Sequence, residues 1–317
     1  MKIMGQKGLI NKVFIVIFVT IFFYGIIIVL SDFDLVVEKT FEINFQYLPI
    51  IISLQVTSVF VGTIKFHRLL QKLKIPILFK ESFKLFMLGR FMGITPGGTG
   101  IIIKSHILKK NYGKPISSTL PVLLIERWTE ILAILIIVTC LLFWVDIYES
   151  KIILGIGYAL FVISILVAYN KKSFLLFKKF SEKIKFLNRF ATSLDESRDS
   201  LSILSNKRTF SEALGLSMIT KVIQLTIVFL CFISVGIDLD YFTTGLIYYT
   251  ALIAGVLTFI PAGMIVTESG MIALLLEFNV ELVTATLGVF FVRIVTLWAG
   301  MVMGAITSRL VLKGKQK

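Results

Sequence analysis

Several stretches of about 20 residues in this chain contain almost no charged side chain, and these stretches constrain its fold more than any other feature. A helix of that length crosses the roughly 30 Å hydrocarbon core of a bilayer. In lipid, only helices and closed barrels satisfy all of their backbone hydrogen bonds. The whole chain agrees, because 56% of its 317 residues are hydrophobic and only 16% are charged. We therefore predict an all-α, polytopic integral membrane protein with a single membrane domain over residues 1–317.

The charged residues alternate in sign from one polar connection to the next. Basic residues gather at the amino terminus, around residues 65–84, at residues 171–210 and at the carboxyl terminus. Acidic residues mark the connections around residues 32–42, 146–149, 238–240 and 277–281. Because cytoplasmic loops carry the excess of Lys and Arg, we predict that both termini are cytoplasmic and that the protein lies in the cell membrane. The excess of basic residues in the cytoplasmic connections then accounts for the net charge of +14, so nucleic acid is not an expected partner.

Six spanning helices account for this alternation. They are predicted near residues 10–30, 47–66, 118–145, 151–170, 211–235 and 282–308. Two segments are left over, residues 76–112 and 241–277, and each of them must begin and end on one side of the membrane. We therefore predict two re-entrant helical hairpins, which enter from opposite faces. The alternative for the second segment is a full crossing by residues 241–260 with a cytoplasmic tip at Pro261.

A proline-glycine motif lies at the predicted tip of each hairpin. The motifs are Pro96-Gly97-Gly98-Thr99-Gly100 and Pro261-Ala262-Gly263. A long apolar helix with an arginine predicted to be buried follows each motif, since Arg127 lies 31 positions after Pro96 and Arg293 lies 32 after Pro261. Proline and glycine also kink ordinary membrane helices, so one motif alone indicates little. The matched spacing predicts an inverted repeat, with halves at about residues 47–145 and 211–308, in which one central site faces either side of the membrane.

The tips have the chemistry of an anion site. A broken helix inside a membrane survives only within protein or beside a water-filled cavity. The helix that restarts after each motif presents free N–H groups and the positive end of its dipole. We therefore expect the tips to bind a phosphate or a carboxylate near the middle of the membrane.

Charged residues inside the apolar segments carry the same sign. Five are basic and three are acidic, namely Arg90, Lys104, Arg127, Lys221 and Arg293 against Glu126, Glu130 and Glu268. Each such charge is costly in a membrane helix, and the surplus of positive charge favours an anionic ligand. Interhelical ion pairs are the alternative, and Arg127 and Glu130 are spaced to pair on one helix face. Lys104 and Arg90 could instead extend to the cytoplasmic surface.

Glu268 is the one charge between Tyr241 and Leu276. The sequence favours a contact of Glu268 with the cargo or a proton exchange, and a lasting salt bridge to Arg293 or Lys221 is the alternative.

The remaining polar features indicate attachment and no cofactor. Residues 171–210 contain ten Lys or Arg among regularly spaced Phe and Leu residues, which predicts a basic amphipathic segment on the cytoplasmic membrane surface. Cys140 and Cys231 lie within apolar runs and are predicted to be small buried hydrophobic residues. His67 and His106 are isolated, so neither a metal nor a cofactor is predicted.

Three blocks together resemble a known family. PGGTG at residues 96–100, LLIERWTE at 123–130 and PAGMIVTESG at 261–270, before a final arginine-bearing helix, are similar to the flippase-like membrane domain of lysylphosphatidylglycerol synthases. The resemblance covers roughly residues 10–310 and implies movement of lipids between leaflets. It carries over Pro96, Gly97, Gly98, Glu126, Arg127, Pro261, Gly263 and Glu268. The second motif departs from the usual PGG at Ala262. The catalytic synthase half has no counterpart, so lysyl transfer is not implied and no enzyme activity is predicted.

The predicted function is a lipid translocase that moves or binds an anionic lipid, linked in some cases to an amino acid or a sugar. The predicted binding residues are Pro96, Gly97, Gly98, Thr99, Lys104, Glu126, Arg127, Glu130, Pro261, Gly263, Glu268 and Arg293. The partners are then a phospholipid or lipid-linked intermediate and the membrane. Two alternatives remain, an accessory protein of cell-envelope or glycolipid synthesis and a membrane-embedded transferase. The sequence leaves open the lipid, the direction and energy source of transport, and whether the chain forms a homo-oligomer.

Overall fold

The computed structural model describes residues 33–93, 103–169, 197–258 and 260–313, and within these ranges the chain is helical without strands. The all-α prediction is confirmed. In chain order the α-helices are α1 (Phe33–Phe41), α2 (Leu48–Lys72), α3 (Phe79–Met92), α4 (Ile103–Tyr112), α5 (Ile116–Leu141), α6 (Tyr148–Tyr169), α7 (Arg198–Leu204), α8 (Lys207–Ser234), α9 (Tyr241–Leu257), α10 (Val266–Glu277), α11 (Leu282–Arg293) and α12 (Ala299–Lys313). Short 3₁₀ turns occupy Phe45–Tyr47 and Pro261–Gly263, and a π turn at Ile294–Trp298 joins α11 to α12.

Four helical segments of the described chain are long and apolar enough to cross a membrane. They are Phe45–Lys72, Tyr148–Tyr169, Lys207–Ser234 and Leu282–Thr307. These segments correspond to four of the six predicted spans. Helix α5 has 26 residues, but Glu126, Arg127 and Glu130 interrupt its apolar character. The remaining predicted span, residues 10–30, lies outside the described residues.

The two predicted halves have the same order of helix lengths. In the first half, α2 and α5 flank two short helices, and in the second half α8 and the α11–α12 unit flank another short pair. The short helices contain 14 and 10 residues in α3 and α4, and 17 and 12 in α9 and α10. At 1.5 Å per residue they are about 15–26 Å long, less than the roughly 30 Å of a hydrocarbon core. Each proline-glycine motif falls between the members of a short pair.

The two halves interlock through helix contacts that cross between them. Helix α2 packs against α8, α5 packs against α8, and α3 packs against α12. Gly300 and Gly304 lie four positions apart on α12, a spacing that lets membrane helices approach closely. A Cβ atom on Gly304 would lie 2.6 Å from the carbonyl oxygen of Met87 on α3. Because α12 presents so little side chain here, Arg90 of α3 lies directly against Gly300.

Side-chain caps determine where α8 and α9 begin. Asn206 accepts a hydrogen bond from the amide of Arg208 at 3.2 Å. Asp240 accepts from the amides of Phe242 and Thr243 at 2.8 and 3.0 Å. Such caps satisfy N–H groups that have no partner inside the helix. These two helices carry Lys221 and Tyr248, so the caps help to position one wall of the central cavity.

Two sequence predictions are corrected by the structure. Most of the amphipathic segment, residues 170–196, lies outside the described residues. Its end forms α7, where Leu201 and Leu204 are 3% and 0% exposed within the apolar core, so the leucines of this part pack on the bundle. Cys231 is buried as predicted, whereas Cys140 is exposed because it lies on the outer side of α5.

Candidate functional site

A cavity of about 350 Å³ opens among α2, α3, α4, α5, α8, α9 and the α11–α12 unit. Six basic and two acidic side chains line it, namely Lys65, Arg90, Lys104, Arg127, Lys221 and Arg293 with Glu126 and Glu130. Neutral polar groups, including Gln55, Ser58 and Thr220, complete the polar part of the lining. Both halves therefore contribute to one polar chamber within an otherwise apolar bundle.

Lys104 of α4 and Glu126 of α5 form a buried ion pair at one side of the cavity. The Lys104 Nζ lies 3.0 Å from Glu126 Oε2, and the two side chains are 3% and 5% exposed. The same Nζ lies 4.4 Å from the ring centroid of Phe66, a favourable cation–π distance. A Cβ atom on Gly89 would lie 1.9 Å from Lys104 Cε, so any larger residue there would displace the lysine side chain. Lys104 is thus held inside the protein and does not extend to the surface.

Arg293 of α11 and Glu268 of α10 form the corresponding pair in the second half. The Arg293 Nε donates to Glu268 Oε1 at 2.6 Å, and the side chains are 4% and 0% exposed. Arg293 Nη2 also donates to the carbonyl oxygen of Ala262 at 3.2 Å. The salt bridge to Arg293, which was the alternative in the sequence analysis, is therefore the observed arrangement for Glu268. Arg293 ties together three parts of the second half: α11, α10 and the Pro261–Gly263 turn.

The second turn has an unusual backbone. Ala262 has φ 53° and ψ 16°, and Gly263 has φ 64°, so both residues adopt left-handed conformations that are strained for side chains with a Cβ. A Cβ on Gly263 would lie 2.8 Å from Thr267 Oγ1. Ala262 reaches the cavity lining. The turn thus borders the cavity, and the binding of an anion by its backbone N–H groups stays a prediction.

The two pairs occupy corresponding positions in the two halves, but the acid and the base are interchanged. In the first half, the short helix after the motif carries the base and the long helix carries the acid. In the second half, the short helix carries the acid and the long helix carries the base. Each pair joins a post-motif helix to the long helix that follows it. The pairs contribute no net charge to the cavity.

Glu130 is the centre of a second group of charges. Its Oε1 lies 2.9 Å from Lys65 Nζ, and its Oε2 lies 2.9 Å from Arg127 Nη1. Lys65 also donates to Ser217 Oγ of α8 at 3.1 Å. The pairing of Arg127 and Glu130 predicted from their spacing is present. Arg127 is not buried as the sequence suggested, because its side chain is 51% exposed and faces the open cavity.

Lys65 was missed by sequence reasoning. The basic run that starts at Lys65 indicated a cytoplasmic connection, but α2 continues to Lys72 and Lys65 is only 2% exposed. A helical signal was available, because Gly62, Phe66 and Leu69 lie on the same buried face as Lys65.

Arg90 and Lys221 line the cavity without a carboxylate partner within the described residues. The Arg90 Nη2 donates to the carbonyl oxygen of Thr296 at 3.4 Å. The Lys221 Nζ donates to Gln224 Oε1 at 3.2 Å, and Gln224 in turn donates to Tyr248 Oη at 2.8 Å. Both cations therefore contact neutral groups, and their charge is directed at the cavity.

Residues 94–102, which include Pro96, Gly97, Gly98 and Thr99, lie outside the described residues. Gly93, immediately before them, lines the cavity. Proximity of the two tips stays a prediction.

The balance of charges in the cavity indicates which kind of ligand the site can bind. Six bases and three acids, including Glu268 behind the lining, leave three positive charges uncompensated. An ionised residue at the centre of a membrane helix costs about 2.5–3.5 kcal/mol on insertion scales. An anion in the cavity would offset part of this cost, so the arrangement is suited to binding one.

Comparison with known proteins agrees with this architecture. No curated protein and no solved structure matches the chain. The model of the family described as the lysylphosphatidylglycerol synthase TM region matches residues 13–304. The match includes the first half, the second half as far as residue 304, both motifs and every charged residue of the cavity. The chain therefore belongs to the lysylphosphatidylglycerol synthase transmembrane family.

Proposed function

We propose that this protein binds an anionic lipid through its headgroup in the central cavity and moves the headgroup between leaflets while the acyl or prenyl tails stay in the bilayer. The observation that carries the proposal is the positive surplus of the cavity, with six basic and two acidic residues in its lining. Membership in a lipid-related membrane family supports it.

The proposed movement uses the two short-helix pairs. In this proposal α3–α4 and α9–α10 are re-entrant hairpins that enter from opposite faces and meet beside the cavity. An inverted repeat of this kind can expose one fixed site to either side by rocking. Arg127 of α5 is accessible from the cavity and contacts the phosphate. Arg293 is engaged by Glu268 and Ala262, so its role is to hold the second tip in place.

The orientation of the chain provides a first test. In a variant without Cys140 and Cys231, single cysteines replace Thr40 or Phe190. A membrane-impermeant thiol reagent applied to intact cells is expected to label Thr40→Cys and to spare Phe190→Cys. The reverse pattern would overturn the predicted orientation.

Transport is tested in proteoliposomes. The probe is phosphatidylglycerol or phosphatidic acid with a fluorophore on the acyl chain, and a membrane-impermeant quencher reports its arrival in the outer leaflet. We expect wild-type protein to accelerate exchange at least tenfold over empty vesicles and Arg127→Gln to reduce that rate at least fivefold. Arg208→Gln, which changes an exposed cation outside the cavity, is the matched control and should behave as wild type. Folded protein that binds the probe without accelerating exchange would favour the accessory binding protein and would refute the translocase.

A further inference from the structure

We infer that the cavity selects a lipid whose headgroup ends in a phosphate monoester or a diphosphate, with more than one negative charge and no ammonium group. This inference rests on the proposed function and narrows its substrate class. The lipid in the family's name, lysylphosphatidylglycerol, has the opposite character, because two lysyl ammonium groups outweigh its single phosphodiester charge.

The acids of the site are already committed to bases of the protein. Glu126 pairs with Lys104, and Glu268 pairs with Arg293. Glu130 is shared between Lys65 and Arg127. Within the described residues, no carboxylate of the cavity remains for an ammonium group of a ligand. A lysyl headgroup would place its cations among six fixed cations, and like charges brought together in this way disfavour the wrong ligand.

The surplus cations are accessible and come from three helices. Arg90 lies on α3, Arg127 on α5 and Lys221 on α8, and all three line the cavity. Lys65 also shares Glu130, but its side chain is 1% exposed whereas that of Arg127 is 51% exposed. Arg127 is therefore the member of that group which a ligand can reach.

The number and the charge of these donors fit a terminal phosphate. A phosphate monoester carries a charge of about −1.5 to −2 at neutral pH and three acceptor oxygens. A phosphodiester has a single charge and two free oxygens, so it would leave much of the surplus uncompensated. Two guanidinium groups can each bind phosphate oxygens in a bidentate manner, and the lysine ammonium adds three more donors. A diphosphate extends the same chemistry over a second phosphorus.

The test measures binding of defined lipids to the full chain in nanodiscs. The probes are phosphatidic acid, a polyprenyl diphosphate, phosphatidylglycerol, lysylphosphatidylglycerol and phosphatidylcholine, each added in competition with one labelled anionic lipid. We expect the monoester or the diphosphate to bind at least tenfold more tightly than phosphatidylglycerol, with lysylphosphatidylglycerol weaker still. The first two probes distinguish a glycerolipid from a prenyl source of the terminal phosphate.

Variants connect this preference to the cavity. Lys221→Gln and Arg90→Gln should each reduce the preference for monoester over diester to threefold or less, and Lys221→Arg should retain it. Two independent cations are tested so that a folding defect in one variant does not decide the result, and Arg208→Gln is again the control.

The outcomes separate this inference from the proposed function. If lysylphosphatidylglycerol binds as tightly as the monoester and the diphosphate, or more tightly, the inference is overturned. The proposed function as a lipid carrier would then still stand. An unchanged monoester preference in both glutamine variants would also overturn it. If no probe binds more tightly than phosphatidylcholine and the transport assay shows no exchange, the proposed function itself fails.

Discussion

Replacing Glu268 by Gln isolates the energetic role of the second buried ion pair. The amide keeps the shape of the side chain and removes its charge. Arg293 then faces the oxygen of that amide in place of a carboxylate, while its hydrogen bond to the carbonyl of Ala262 at 3.2 Å is kept. Breaking a buried pair by neutralising one partner costs about 3–5 kcal/mol. We expect a value near the lower end, about 3 kcal/mol, because the amide oxygen can still accept from Arg293 and the guanidinium borders the cavity.

The assay is equilibrium unfolding in mixed micelles, with the free energy of unfolding compared between variants. Glu277→Gln is the matched control, because Glu277 is an exposed acid on the same helix, and its effect should stay within about 0.5 kcal/mol. The double variant Glu268→Gln/Arg293→Gln should recover part of the loss, since the buried guanidinium charge is removed together with the carboxylate. Coupling between contacting residues of this kind is about 0.5–3 kcal/mol.

Two results would refute this reasoning. One is a Glu268→Gln protein as stable as Glu277→Gln. The other is a double variant whose loss equals the sum of the two single losses. If stability is unchanged while lipid exchange is lost, Glu268 acts on the cargo or on protons, as the sequence favoured.

Two further predictions follow from local geometry. Gly89→Ala should lower the free energy of unfolding by about 1–3 kcal/mol, because the added Cβ displaces the buried Lys104 side chain. Gly215→Ala is the control and should be neutral or stabilising, because nothing lies within 4 Å of the added Cβ. Equilibrium unfolding in micelles compares the two variants. The hydrogen bond and charge of Lys39 lower the pKa of Glu281 from 4.5, so the docking of α1 on α11 holds at neutral pH and weakens as pH falls through that lowered value. Hydrogen exchange in α1, corrected for the pH dependence of intrinsic rates, should increase only in that acidic range, and an equal increase between pH 8 and pH 6 would contradict it.

The helical architecture could be predicted from the sequence because membrane helices leave a direct signal. Long uncharged runs predicted the four segments of the described chain that are long and apolar enough to cross a membrane, and the proline-glycine motifs divided the remaining segments into short helices. The pairing of Arg127 with Glu130 was also predictable, since it depends only on the spacing within one helix. These features are local in the chain, so no knowledge of the tertiary structure was required.

The partners of the other charges could not be predicted in the same way. Glu126 and Lys104 are 22 positions apart, and Glu268 and Arg293 are 25 positions apart, on different helices. Only the packing of the short helices on the long helices brings them together. Lys65 was counted with the basic run at the cytoplasmic end of the span at residues 47–66, because such a run at a helix end resembles a cytoplasmic connection. The buried lysine instead satisfies its charge through Glu130.

The charges of this site divide into two groups with different physical consequences. The pairs Lys104–Glu126 and Arg293–Glu268 are electrically neutral and join the short helices to the long helices, so they can hold both tips without attracting a ligand. The surplus charge lies instead on Arg90, Lys221 and the Arg127 group, which face the cavity. In the proposed mechanism, the two tips must move while the cavity keeps its electrostatic attraction for the lipid. One residue of each neutral pair lies on a short helix and the other on a long helix. Because most of the surplus charge lies on the long helices, a change in the tips would alter access to the cavity more than its charge.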